Sequence, residues 1–138
     1  MLALVVVAVA LFAVALAIAW WLEHRRRYAA PIRTGAPIPP QLVRADFPRP
    51  DAPWLVVLFS SSTCEGCAAM AEKVRALESD DVAVADVEYH EQRALHDRYG
   101  IEAVPIVVVV DDEGVTRTSF AGSATATDLW AAVAALRA

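Results

Sequence analysis

The chain has 138 residues, enough for one ordinary domain and too few for two. Its net charge of −5 divides unevenly. Up to Pro53, six Arg face Glu23, Asp46 and Asp51 for a net of +3; from Trp54 onward, six Lys and Arg face fourteen acids for a net of −8. So acidic a domain argues against a nucleic-acid partner, and two cysteines in a single C-x-x-C are not the disulfide framework of a small secreted domain.

Residues 1–22 carry no charged or polar side chain, and about 20 such residues span the hydrocarbon of a bilayer. Trp20 and Trp21 close the run, where amphipathic aromatics prefer the interface. A cleaved signal peptide needs basic residues before a shorter apolar core and a small-residue cleavage site after it; none of these is evident here. The reading is an uncleaved, single-pass transmembrane anchor over residues 1–22. Glu23-His24-Arg25-Arg26-Arg27-Tyr28 follows, and the positive-inside rule then puts the soluble domain in the cytoplasm. The alternative is an extracytoplasmic domain tethered to the outer face, and the compartment bears on the direction of any thiol chemistry.

Seven of the eight prolines lie between residues 28 and 53: Pro31, Pro37, Pro39, Pro40, Pro48, Pro50 and Pro53. Proline removes amide donors and pushes its neighbours towards extended backbone, so residues 23–53 read as a basic juxtamembrane stretch and a Pro-rich linker. Residues 41–47 are the one stretch within it that could add an edge strand.

The domain of residues 54–138 opens on Trp54-Leu55-Val56-Val57-Leu58-Phe59, an apolar run short enough for a buried strand. Cys64-Glu65-Gly66-Cys67 comes next, and Met70, Val74 and Leu77 then fall on one face of a helix. The cysteines therefore stand where a strand hands over to a helix N-terminus. Unpaired amides and the macrodipole favour an anion there, which would draw the Cys64 thiol down from about 8.5 towards neutrality. Val82–Val87 reads as a second strand and Glu91–Tyr99 as a short helix stopped by Gly100. Ile106–Val110 is an unbroken β-branched run, the mark of a strand buried on both faces. Residues 111–114 turn, Val115–Phe120 returns antiparallel, and Thr125 or Thr127 caps a last helix with Leu129, Val133 and Leu136 on one face. The order β-α-β-α-β-β-α implies an α/β fold with a mixed sheet flanked by helices.

A strand, a C-x-x-C at a helix start, a further βα unit and then Val104-Pro105 before a buried strand resemble the thioredoxin superfamily, over roughly residues 54–138. The resemblance implies that Pro105 is cis, that it stands against the active-site pair, and that the backbone of Val104 pairs with an extended substrate strand. It also marks departures. The residues between the cysteines are Glu65 and Gly66, without the family's usual proline, and a negative Glu65 opposes thiolate formation. Leu58 occupies the place of the family's buried acid, and Asp86 that of its lysine. Asp86 either assists the second cysteine from across the sheet or is a solvent-facing carboxylate at a strand end.

The activity implied is thiol–disulfide exchange with protein partners, carried by Cys64 as nucleophile and Cys67 as resolving thiol, tuned by Glu65, Gly66 and Asp86, and needing no cofactor. Two other classes compete with it. Cys64, Cys67, His90 and His96 could form a metal site, although the histidine spacing is loose and both histidines read as solvated surface groups. The domain could also be a non-catalytic binding module or redox sensor at the membrane, with the cysteines a structural or sensing disulfide.

Overall fold

The computed structural model describes residues 1–28 and 36–138, with the backbone alone at residues 2 and 22–28. It divides into two compact units, Met1–Ala30 and Pro31–Ala138. The first unit is one helix, α1 (Leu2–Tyr28). Its stretch Ala3–Trp21 is long and apolar enough to cross a membrane. The basic side chains at 25–27, on which the orientation rests, and Pro31 lie outside the described residues.

In the second unit, β1 (Trp54–Ser60), α2 (Cys67–Arg75), β2 (Val82–Glu88), α3 (Arg93–Tyr99), β3 (Ile106–Val110), β4 (Thr116–Ala121) and α4 (Ala126–Arg137) follow the expected order. The sheet runs β2-β1-β3-β4. β1 pairs parallel with β2, antiparallel with β3, and β3 antiparallel with β4. This is the mixed sheet expected from the order of elements.

Alternation along the central strands builds two cores. Val56, Leu58, Val107 and Val109 face one way and pack with Met70, Val74, Leu129 and Val133 of α2 and α4. Leu55, Val57, Phe59, Ile106, Val108 and Val110 face the other way. Every residue of β3 is at most 1 % exposed, as an unbroken β-branched run requires. The helical stripe Met70, Val74 and Leu77 is buried as its spacing dictates, each side chain contributing about 1.5–3 kcal/mol. Thr125, rather than Thr127, caps α4: its hydroxyl accepts from the Asp128 amide at 3.1 Å, in a full capping box.

The expected linker needs correction. Over residues 36–53 the chain is part of the domain, with Leu42 1 % and Phe47 6 % exposed inside the second core and Ile38 packed against it. The physical reason is the shortness of α3. A seven-residue helix is about 10 Å long, and the prolyl segment joins it over the same sheet face, Leu42 and Phe47 sharing one core with Leu95 and Tyr99. Gln41 bridges to Val115, and the Leu42 amide donates to the Gly114 carbonyl at 2.8 Å, so the segment does add to the edge of the sheet. Arginine supplies donors that prolines cannot. Buried Arg44 donates to the carbonyls of Asp111 and Ala52, each at 2.9 Å, and Arg49 reaches those of Ser79 and Val82. Gly114, with φ +81, is required by this closure, because a Cβ there would lie 1.9 Å from the Leu42 oxygen.

Candidate active site

The site lies where β1 and β2 end side by side, with Ser60 in register with Glu88. Beyond Ser60 the chain turns back on itself: the Cys64 amide donates to the Ser61 carbonyl at 3.1 Å and the Cys67 amide to the Cys64 carbonyl at 3.3 Å. α2 begins at Cys67, so Cys64 stands one tight turn before the helix and not in it. The two cysteines are joined as a disulfide, their Cα atoms 5.4 Å apart. They are not equivalent. Cys64 is half-buried, whereas Cys67 is only 3 % exposed. Cys64 is therefore the more approachable sulfur of the two.

Gly66 caps α2 in ordinary αR backbone, and a Cβ there would only touch the Ser123 hydroxyl at 3.5 Å. Glu65 is exposed and makes no hydrogen bond or ion pair among the described residues. Leu58 is fully buried beneath α2, paired with Asp86 of β2. Asp86 is the exposed carboxylate of the second alternative, near the end of β2. It is exposed, it accepts the Ser60 hydroxyl at 2.6 Å, and it lines a groove of about 340 Å³ together with Cys64, Cys67 and Arg75.

A second groove, of about 540 Å³, has Ser61 and Thr63 on one wall, Tyr89 and His90 on another, and Glu102, Ala103 and Val104 on a third. The Val104–Pro105 bond is cis, and the Pro105 carbonyl accepts the amide of Gly122 at 2.8 Å. Val104 and residues just before Cys64 in the chain, Ser61 and Thr63, thus share one concave surface, and Pro105, next after Val104, is half-buried.

Sequence reasoning missed what holds the Cys64 loop. The Glu88 carboxylate accepts the Ser62 amide at 2.7 Å, the His90 amide at 2.7 Å, the Glu91 amide at 3.0 Å and the His90 Nδ1–H at 3.0 Å. These donors, the His90 ring foremost, hold its carboxyl down at about 2. A parallel register that ends β1 and β2 together is the signal that would have found it, since Glu88 must then lie beside the residues after Ser60.

The metal reading is corrected at His96. It is 1 % exposed, not a surface group: its ring meets Phe59 and Tyr89 edge-on, and its Nε2 bonds to the Val87 carbonyl at 2.8 Å. A buried ring nitrogen needs a polar partner, and the Val87 carbonyl of β2 supplies it. His90 is 56 % exposed, as expected of it. Among the described residues, no three His, Cys, Asp or Glu side chains converge as a metal-binding group.

Residues 45–137 match the model of the thioredoxin-like domain family. The chain is similar to the solved structure of a mutant thioredoxin from Halobacterium salinarum, with 27 % identity over 57 % of this chain and 70 % of that one, at a TM-score of 0.51. It is similar in fold to a thioredoxin of Malassezia sympodialis, with 22 % identity over 62 % and 76 % of the two chains and a TM-score of 0.52. A malarial protein shares the fold at 12 % identity, covering 60 % and 96 %, with a TM-score of 0.54. No curated protein matches the chain by sequence.

Proposed function

The chain belongs to the thioredoxin-like domain family, and from that premise we propose that it is a membrane-tethered thiol–disulfide oxidoreductase acting on protein partners through Cys64 and Cys67. The observation that carries the reading is the asymmetry of the pair, an approachable Cys64 against a buried Cys67.

In the reducing direction the Cys64 thiolate attacks one sulfur of a partner disulfide. A Cys64–partner bond forms, the partner's S–S bond breaks, and its other sulfur leaves as a thiolate. Cys67 then attacks the Cys64 sulfur, closing the internal disulfide and releasing the second partner thiol. Two electrons pass from the pair to the partner, and the same steps in reverse oxidise a partner dithiol. The backbone of Val104 pairs with the partner segment; its position ahead of cis Pro105, on the groove shared with Ser61 and Thr63, supports this. Asp86, in the groove that holds both cysteines, is the proton acceptor for Cys67 in place of an acid at Leu58. Glu65 and Gly66 set the environment of the thiols from between them.

The apolar helix supports a single-pass anchor, and the Arg25-Arg26-Arg27 run after it supports a cytoplasmic domain. Reduction of insulin disulfides by the dithiothreitol-recycled protein tests the chemistry. Cys64→Ser is expected to abolish turnover; turnover that survives both Cys64→Ser and Cys67→Ser contradicts the reading. Labelling by a membrane-impermeant maleimide in intact cells tests the side, and labelling without lysis contradicts a cytoplasmic domain.

A further inference from the structure

The Glu88–His90 pair has no part in the exchange as described so far, yet His90 lines the groove that holds Val104, and Glu88 the one that holds both cysteines. His90 follows the end of β2, 56 % exposed, with its Nδ1 3.0 Å from Glu88 Oε1 and 3.3 Å from the Ser62 hydroxyl. Glu88 stays ionised throughout the physiological range, since its carboxyl is held at about 2. An ionised carboxylate only accepts, so Nδ1 carries the proton in this contact and the opposite nitrogen, Nε2, is left for exchange. The Glu88 carboxylate also takes the His90 and Ser62 amides, fixing the imidazole and the Cys64 loop to one anchor. Tyr89 meets the ring edge-on at 5.3 Å and confines it further. Glu88 lines the other groove, with Cys64 and Cys67; the charged groups bordering the groove beside His90 are Asp97, which pairs with Arg93, and Glu102. The buried His96 forms the floor.

We infer that His90, oriented by Glu88, is a catalytic acid–base group for the partner's sulfur. This rests on the oxidoreductase reading above. As Cys64 attacks, the partner's S–S bond breaks and its departing sulfur carries a negative charge towards the groove that His90 shares with Ser61 and Thr63, the latter next to Cys64 in the chain. The Nε2 proton of the imidazolium passes to that sulfur, leaving a neutral partner thiol and a neutral imidazole, which regains a proton from solvent. In the oxidising direction the neutral imidazole takes the proton from the attacking partner thiol. Glu88 acts through His90 and is a positioning residue.

Leaving-group dependence tests this, using the reduced full-length chain in detergent micelles at neutral pH. An alkyl disulfide such as glutathione disulfide departs as a basic thiolate that gains from protonation; an aryl disulfide such as dithiobis(nitrobenzoate) departs as a stable anion that does not. His90→Gln is expected to slow the alkyl reaction by about tenfold or more and to leave the aryl reaction within about twofold. Glu88→Gln is expected to slow the alkyl reaction in the same selective way. Equal slowing of both disulfides, or of neither, by His90→Gln overturns the assignment. Failure of the reduced wild-type protein on both disulfides overturns the oxidoreductase reading itself and this inference with it.

Discussion

Two acids close the two ends of the sheet. Glu88, the last residue of β2, gathers the amides of Ser62, His90 and Glu91 together with the His90 ring. Asp111, after β3, gathers the amides of Glu113 and Val115 at 3.1 and 2.9 Å and the Arg117 guanidinium at 2.6 Å. β3 runs antiparallel to β1, so the two acids lie at opposite ends. At Asp111 burial opposes ionisation, and the Val115 amide and Arg117 more than offset it, keeping the carboxyl below its usual range. The donors around Asp111 belong to one hairpin and to the buried Arg44 closure behind it. Those around Glu88 come from two loops, one of which carries Cys64. The same chemistry therefore locks a hairpin at one end and fixes the cysteine-bearing loop at the other.

The comparison breaks if substitutions at the Asp111 end disturb the thiols, or if those at the Glu88 end unfold the domain. The largest effect is expected at Gly114→Ala, whose Cβ would meet the Leu42 carbonyl from a left-handed backbone. A loss of about 3 kcal/mol or more in denaturant unfolding is expected, with the Cys64–Cys67 reduction potential unchanged. Arg44→Met orphans the carbonyls of Asp111 and Ala52 and should cost about 2–3 kcal/mol, again without moving the potential. Glu88→Gln is read by pH. The folded carboxyl sits at about 2 against an ordinary value of 4.5, so its stabilisation is complete above about 4.5 and disappears as pH falls towards 2. The variant should flatten that limb of the stability–pH curve, and an unchanged limb would place the anchor elsewhere. Gly66→Ala should do least, within about 0.5 kcal/mol, because its backbone is αR and the added carbon meets only the Ser123 hydroxyl.

Much of this was legible in the sequence, and the exceptions share a cause. β3 matches the expected run Ile106–Val110 residue for residue, because a double-faced burial leaves no polar position to blur its ends. The α2 stripe and the C-x-x-C placement followed from 3.6-residue periodicity. Ile38, Leu42 and Phe47 could not be read as core, since their spacing follows neither helix nor strand and proline dominates around them. Their burial is dictated by the sheet face they share with α3, a contact that exists only after folding. His96 and Glu88 were misjudged or missed for the same reason: each is defined by a neighbour on another element, the Val87 carbonyl and the Ser62 amide.

The most direct test of the central claim is to trap the exchange halfway. In Cys67→Ser the resolving thiol is gone, so a partner attacked by Cys64 should remain attached. Mass spectrometry of the reduced variant after exposure to a disulfide-bonded peptide should find one peptide joined to Cys64, released by dithiothreitol. A variant that remains unmodified would contradict the assignment of Cys64 as the nucleophile of a thiol–disulfide oxidoreductase.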